Sequence, residues 1–308
     1  MNEFDLINQY FNWDNSNLNA LGVGDDCSLI ELESCQLANT VDTLISGVHF
    51  PEDTPAEAIA YKALAVNLSD LAAMGATPLY FSLALTLPEI DKPWLESFSA
   101  SLKALAQQYN IALIGGDTTR GHLSITINAA GIVPKNQALL RSGAQVGDII
   151  YVSNTLGDAA LAWKKIQQNQ TPSEALLKQF NTPQPQVELG RALLGLASSC
   201  IDISDGLVQD LSHILQQSGV GAKLNLEDIP LGGEVSAYIR AEQDWCVAIA
   251  GGDDYELCFT INPSKVKALE AVKKKLDIVL SPIGVITQDL GIETMPALNK
   301  ACQSYQHF

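Results

Sequence analysis

Apolar residues along this chain change period from segment to segment. Across residues 78–87 they alternate, with Leu79, Phe81, Leu83, Leu85 and Leu87 on one side and Tyr80, Ser82, Ala84 and Thr86 on the other, which predicts a strand. Leu123, Ile125, Ile127 and Ala129 repeat the pattern along 123–133. Residues 54–74, by contrast, are apolar almost all round, as in a buried helix. Thr54 or Asp53 would cap that helix, Pro55 would occupy its first turn, and Gly75 would close it. Segments 4–11 and 94–109 have the spacing of amphipathic helices, and 27–32 and 36–41 read as short strands, the second ending at Asp42-Thr43. The run 111–114 leads into Gly115-Gly116-Asp117-Thr118-Thr119-Arg120-Gly121, which reads as a glycine loop between two strands.

A polar stretch at 134–147, holding Gly143 and Gly147, then interrupts the periodicity and divides the chain into 1–140 and 141–308. Beyond it, strands at 148–153, 201–206, 222–226 and 255–261 are interspersed with helices at 158–168, 207–217 and 264–275 and a proline-punctuated helical region ending near 196. The predicted fold class is α/β (α+β): an N-terminal mixed sheet with helices on one face, followed by a C-terminal α/β domain. Strand 78–87 carries apolar or partly apolar residues on both faces, which suggests a homodimer formed through the first sheet.

Composition narrows the function classes. With a net charge of −17 and a pI near 4.5, the chain lacks the basic footprint of a nucleic-acid binder. It could bind anions only through local Arg or Lys or a divalent cation. Six cysteines without a C-x-x-C pair suggest reduced thiols of a cytoplasmic protein. The first residues lack a basic region followed by an apolar core, so no signal peptide is expected. Glu57, Lys62, Asn67 and Asp70 interrupt the most apolar segment, which argues for a core helix and against a membrane span.

The candidate chemistry is acidic. Gly24-Asp25-Asp26, Gly115-Gly116-Asp117, Ser204-Asp205-Gly206 and Gly251-Gly252-Asp253-Asp254 each combine glycine with aspartate. A phosphate-binding P-loop carries Lys after its glycines. With Asp there instead, phosphate could be held only through a bridging cation, or the segment is a plain turn. Asp26, Asp42, Asp117, Asp202 and Asp205 all fall at predicted strand ends or turns, where functional carboxylates are often mounted. Asp70, within the apolar helix, must be either salt-bridged or metal-bound. No EF-hand loop, zinc-ligand spacing or G-x-S-x-G elbow occurs, and oxygen-only ligands favour Mg²⁺. Arg120 and Arg141 are the nearby guanidinium groups, Arg120 reading mainly as a surface charge. His49 is either a substrate contact or an ordinary loop histidine. The aromatic tail Tyr305-Gln306-His307-Phe308 either docks beside a flat ligand or anchors hydrophobically.

Taken together, Gly22-Val23-Gly24-Asp25-Asp26, Val41-Asp42-Thr43, the run from Ala63 to Gly75, Gly115-Gly116-Asp117-Thr118, Arg141-Ser142-Gly143-Ala144, Ile203-Ser204-Asp205-Gly206-Leu207 and Gly252-Asp253-Asp254-Tyr255-Glu256-Leu257 resemble the thiamine-monophosphate kinase family. Single motifs are shared with aminoimidazole-ribonucleotide synthetase and selenophosphate synthetase. The resemblance implies a two-domain synthetase-like fold, dimerisation through the N-terminal sheets, and ATP as co-substrate bound between domains and subunits. It implies several Mg²⁺ ions held by Asp26, Thr40, Asp42, Asp70, Asp117, Asp202 and Asp205. It further implies nucleotide contacts from Gly116, Asp117, Arg141 and Ser204, and thiamine monophosphate contacts from His49, Asp253 and Tyr305. The chain departs from the family pattern at Val41, which has no hydroxyl, and at Asp253, where the family commonly has Glu.

Overall fold

The computed structural model describes residues 3–12, 20–297 and 302. Its first half runs α1 (Glu3–Tyr10), β1 (Ala20–Leu21), β2 (Ser28–Glu31), β3 (Cys35–Ile45), α2 (Ala56–Ala73), β4 (Thr77–Leu87), α3 (Lys92–Gln108), β5 (Ala112–Arg120) and β6 (Ser124–Pro134). These strands form one sheet in the order β1-β2-β3-β6-β4-β5, antiparallel except where α3 crosses over to pair β5 parallel to β4. The second half contains β7 (Ile149–Ser153), α4 (Asp158–Gln167), α5 (Glu174–Asn181), α6 (Val187–Leu193), β8 (Ala197–Asp202), α7 (Leu207–Ser218), β9 (Gly221–Asn225), α8 (Gly233–Glu242), α9 (Cys246–Ile249), β10 (Leu257–Ile261), α10 (Val266–Leu276), β11 (Leu280–Thr287) and β12 (Gly291–Met295). They build a second mixed sheet, ordered β12-β9-β11-β7-β10-β8. No described helix is long and apolar enough to cross a membrane.

Helix α2 explains its own composition. It packs on β3 and β6 of the first sheet and, on its other side, against β8 and α6 of the second half. A helix covered on both sides has no solvent face to keep polar, and Leu64, Leu68, Leu71 and Met74 are all fully buried. Each such side chain contributes roughly 1.5–3 kcal/mol of burial. The approach to α6 is close: a Cβ on Gly190 would lie 1.9 Å from the Ala72 carbonyl oxygen. At the helix start Pro55 itself is the cap and makes no side-chain bond, so neither Thr54 nor Asp53 caps it. Gly75 closes the helix with φ +68.

Four expectations from the pattern are corrected. Strand β3 does not end at Asp42-Thr43; β6 offers it a partner at every position as far as Ile45. Thr40 and Leu44 are buried against the helix side while Val41 is exposed, which places Asp42 on the inner face by alternation. Leu79 leaves the apolar row of β4 because the register against β6 shifts between Pro78 and Tyr80. Gly115 and Gly116 lie inside β5 and not in a loop. Register against β4 jumps from Leu113 to Gly115, and a Cβ on Gly116 (φ +152) would lie 1.8 Å from the Leu83 carbonyl oxygen. Finally, Cys246 is disulfide-bonded to Cys302 across 56 residues, a separation that leaves no local spacing to read, while Cys27, Cys35, Cys200 and Cys258 are free.

Strand β11 and helix α8 had no counterpart in the pattern. Pro282 and Gly284 break up β11, and α8 opens on Gly232-Gly233 with few large apolar residues.

Candidate active site

A cleft of about 1160 Å³ opens where the C-terminal end of β3 and α2 meet the second half. That is somewhat above the ~300–1,000 Å³ usual for a single-ligand site. Three positions of α2 reach it at helical spacing: Lys62, beside Asp253 of the cleft wall, then Val66 and Asp70, which line it. Asp42 arrives from β3, Asp202 from the end of β8, and Ser204 and Asp205 from the turn into α7.

At its floor, carboxylate oxygens of Asp26, Asp70 and Asp202 lie within 4.8 Å of one another. Each acid is held by a neighbour. The Thr40 hydroxyl donates to Asp70, the Ser69 hydroxyl donates to Asp202 at 2.7 Å, and Arg141 Nη2 donates to Asp26 at 2.6 Å. Arg141 is itself fixed by its backbone N–H, which donates to Asp25 at 2.7 Å. Asp26 Oδ2 is buried with no hydrogen-bond partner.

Burial, then the charges of Asp42, Asp202 and Asp26, push Asp70 well above the usual carboxylate range. Burial, reinforced by Asp26, raises Asp202 to about 8, and burial raises Asp42 to about 6. Burial raises Asp26 too, outweighing the pull of Arg141. Hard oxygen donors, mutual repulsion and an orphaned buried oxygen together fit a divalent cation of the Mg²⁺ type.

The remaining predicted residues divide. His49 lines the cleft, and its Nδ1 accepts the Ile45 N–H at 3.0 Å, which places the ring proton of the neutral imidazole on Nε2. Asp205 lines the cleft and accepts from Gln209 at 2.9 Å. Asp253 lines the cleft as well. Asp117 and Gly116 do not reach the cleft. Pairing sets Thr43, Thr126, Ala84 and Asp117 in one row, on the outer face and not the face of Asp42. Three strand spacings put Asp117 about 14 Å from Thr43. Tyr305 lies outside the described residues.

Several residues of the site were missed. Asp210 on α7 accepts the N–H groups of Ser204, Asp205 and Gly206 with one oxygen, at 3.1, 3.1 and 3.0 Å, so this turn is shaped by its own helix. Any contact Ser204 makes with a ligand must therefore come from its hydroxyl or carbonyl. A carboxylate in the first turn of a helix that follows an Asp-Gly turn was the available signal. His213, also on α7, lines the cleft, and burial lowers it to about 4, so it is neutral at ordinary pH. Lys62, on α2, pairs with Asp253 and carried no sequence signal beyond being a charge in an apolar helix.

Glu256, the residue just before β10, does not line the cleft and accepts from Ser153, Asn154 and Gln186. Burial raises it to about 8 from an ordinary 4.5. The folded state therefore holds a proton that the unfolded state releases between those values. Its stabilising share is complete below pH 4.5 and is lost as pH rises through about 8. Glu256→Gln mimics the protonated acid, so wild type should lose roughly 2–4 kcal/mol relative to this variant between pH 5 and 9. Urea midpoints of the two proteins across that range check it; parallel profiles would contradict it.

Known proteins match this chain over most of its length. The AIR synthase related protein family matches twice, its N-terminal domain over residues 24–133 and its C-terminal domain over 145–295. A thiamine-monophosphate kinase of Haemophilus influenzae is 46% identical over 94% of this chain and 91% of its own length. The crystal structure of thiamine-monophosphate kinase from Stenotrophomonas maltophilia superposes with TM-score 0.83 at 43% identity, covering 96% of this chain and 97% of that one. The structure of AaThiL complexed with AMPPCP and TMP superposes with TM-score 0.86 at 28% identity, covering 100% and 97%.

Proposed function

Because the chain belongs to the AIR synthase related family and, within it, to the thiamine-monophosphate kinases, we infer that it transfers the γ-phosphoryl group of ATP to thiamine monophosphate, giving thiamine diphosphate and ADP, the last step in making that cofactor. The observation that carries this reading beyond likeness is the convergence of Asp26 with Asp70 and Asp202, two acids that line a cleft of about 1160 Å³. A structural relative holds both an ATP analogue and TMP.

The nucleophile is a phosphate oxygen whose second pKa is about 6, already largely ionised at neutral pH. No side chain has to remove a proton, and none in the cleft stands out as a general base. The task left to the protein is to align two polyanions in line and to balance their charge. Asp26, Asp70 and Asp202 would hold Mg²⁺, with Asp42, Thr40 and Asp205 beside them supplying further oxygens. Bound there, Mg²⁺ would neutralise the phosphates and the charge that develops during transfer. Arg141, which pairs with Asp26, would donate to the nucleotide, and the Ser204 hydroxyl would do the same. His49 and Asp253 line the wall on which the thiamine end would rest.

Asp117 and Gly116 are assigned to the nucleotide and metals by resemblance. Thr43 supports this assignment: it lines the cleft and begins the outer row that ends at Asp117, so a nucleotide laid along that row could reach it. Tyr305 keeps its assignment to the thiamine end on resemblance alone. We assign the chain to a cytoplasmic homodimer. Strand β5 is an exposed sheet edge carrying Leu113 and Ile114, a surface of the kind that sheets usually cover.

Incubation of the protein with ATP, Mg²⁺ and thiamine monophosphate should yield thiamine diphosphate and ADP in equal amounts, resolved by chromatography. Release of inorganic phosphate without thiamine diphosphate would overturn the assignment.

A further inference from the structure

Lys62 is a lysine where the fold gives little reason for one. Its side chain is 3% exposed, on a helix otherwise built for core packing. Its ammonium lies 2.8 Å from Asp253 Oδ2 and 4.0 Å from the centre of the Phe180 ring. A buried ammonium is tolerated only with a partner, and Asp253 and Phe180 supply one from two segments of the second half. Asp253 in turn is held at both oxygens, since the Tyr255 hydroxyl donates to Oδ1 at 2.9 Å.

The segment being held is an unfavourable one. Asp253 and Tyr255 both adopt left-handed backbone conformations, with φ +69 and +51, which side chains with a Cβ rarely occupy. Their N–H groups bind the carbonyls of Ser204 and Ile203, each at 2.8 Å, laying the segment against the turn that carries Asp205. What remains to be fixed is where the carboxylate points. Each of its oxygens keeps a lone pair after accepting one bond, so an amino group of a bound heterocycle could still be met.

We propose that Lys62 is a positioning residue for thiamine monophosphate, acting through Asp253: it reaches across from the first half, aims that carboxylate at the cleft, and is itself neutralised by it. Neutralisation matters because the thiazolium of thiamine is a cation, and an unpaired ammonium beside it would repel it. The inference rests on the substrate assigned above. Aspartate, one methylene shorter than glutamate, leaves the placement of the carboxylate more dependent on its anchors.

Steady-state kinetics of Lys62→Met, Asp253→Asn and the double variant test the proposal. Lys62→Met is expected to raise KM for thiamine monophosphate at least about tenfold, with KM for ATP within twofold of wild type and kcat within threefold. Because Lys62 acts through Asp253, the double variant should be no worse than Asp253→Asn alone. A folded Lys62→Met with unchanged KM for thiamine monophosphate would overturn the idea, and so would effects that multiply in the double variant. If Lys62→Met does not fold, the comparison of Asp253→Asn with the double variant decides alone, since neither leaves a bare carboxylate and Asn can still accept from Lys62. Wild-type turnover is measured first. Its absence would sink the assigned reaction, whereas an active wild type with an indifferent Lys62 sinks only this proposal.

Discussion

Asp70→Asn should reduce thiamine diphosphate formation by at least ~10²–10³-fold, the scale of losing one pre-placed charge from a phosphoryl-transfer site. The variant should nevertheless fold. Asp70 is buried beside Asp26 and Asp202, and in the metal-free chain this proximity is repulsive. Asparagine keeps the shape and can still accept the Thr40 hydroxyl. Metal-free Asp70→Asn is therefore expected to melt at or above the wild-type temperature. Adding Mg²⁺ should then separate the two proteins: binding to the folded state alone raises the wild-type melting temperature, while the variant gains much less. Turnover near wild type, or an equal Mg²⁺-induced shift in both proteins, would count against the carboxylate site. The expected combination, a more stable but inactive protein, is the usual sign of a residue kept for function at a cost in stability.

Gly116→Ala should be the most damaging small substitution in the first sheet. The added methyl would sit 1.8 Å from the Leu83 carbonyl oxygen, on backbone that is paired to β6 on its other side and cannot retreat. A loss of about 4 kcal/mol or more is expected, read as a fall in the urea midpoint, because both the contact and the φ of +152 oppose a side chain. If instead the variant kept its midpoint, the account of β5 would be wrong.

These two positions also mark how far the sequence could be read. Asp70 was legible as an anomaly, because an acid in a helix apolar on all sides must be paired or used, and the fold brings it to Asp26 and Asp202. Gly116 was misread. The same residue pair, Gly-Gly, can serve a loop or relieve a strand crossing a bulge, and the difference is set by Leu83, some thirty positions earlier in the chain. The alternating strands and amphipathic helices were readable because their periods are local. Pairings that depend on distant partners were not: Lys62 with Asp253, and Cys246 with Cys302. Asp117 shows the limit from the other side. Its motif was recognisable, yet a single chain leaves it in the outer row, away from the floor of the cleft.

Helix α2 has a consequence for how such chains can recombine. It is encoded with the first sheet, but one of its sides is the packing surface of the second half, with Gly190 seated on Ala72, Ser69 bonded to Asp202 and Lys62 bonded to Asp253. A crossover within 134–147 would exchange apparently complete halves between two relatives. It would also pair one parent's helix with the other parent's receiving surface. Viable hybrids should be those in which positions 62, 69 and 72 are inherited together with 253, 202 and 190, so that one helix makes two halves a single heritable unit.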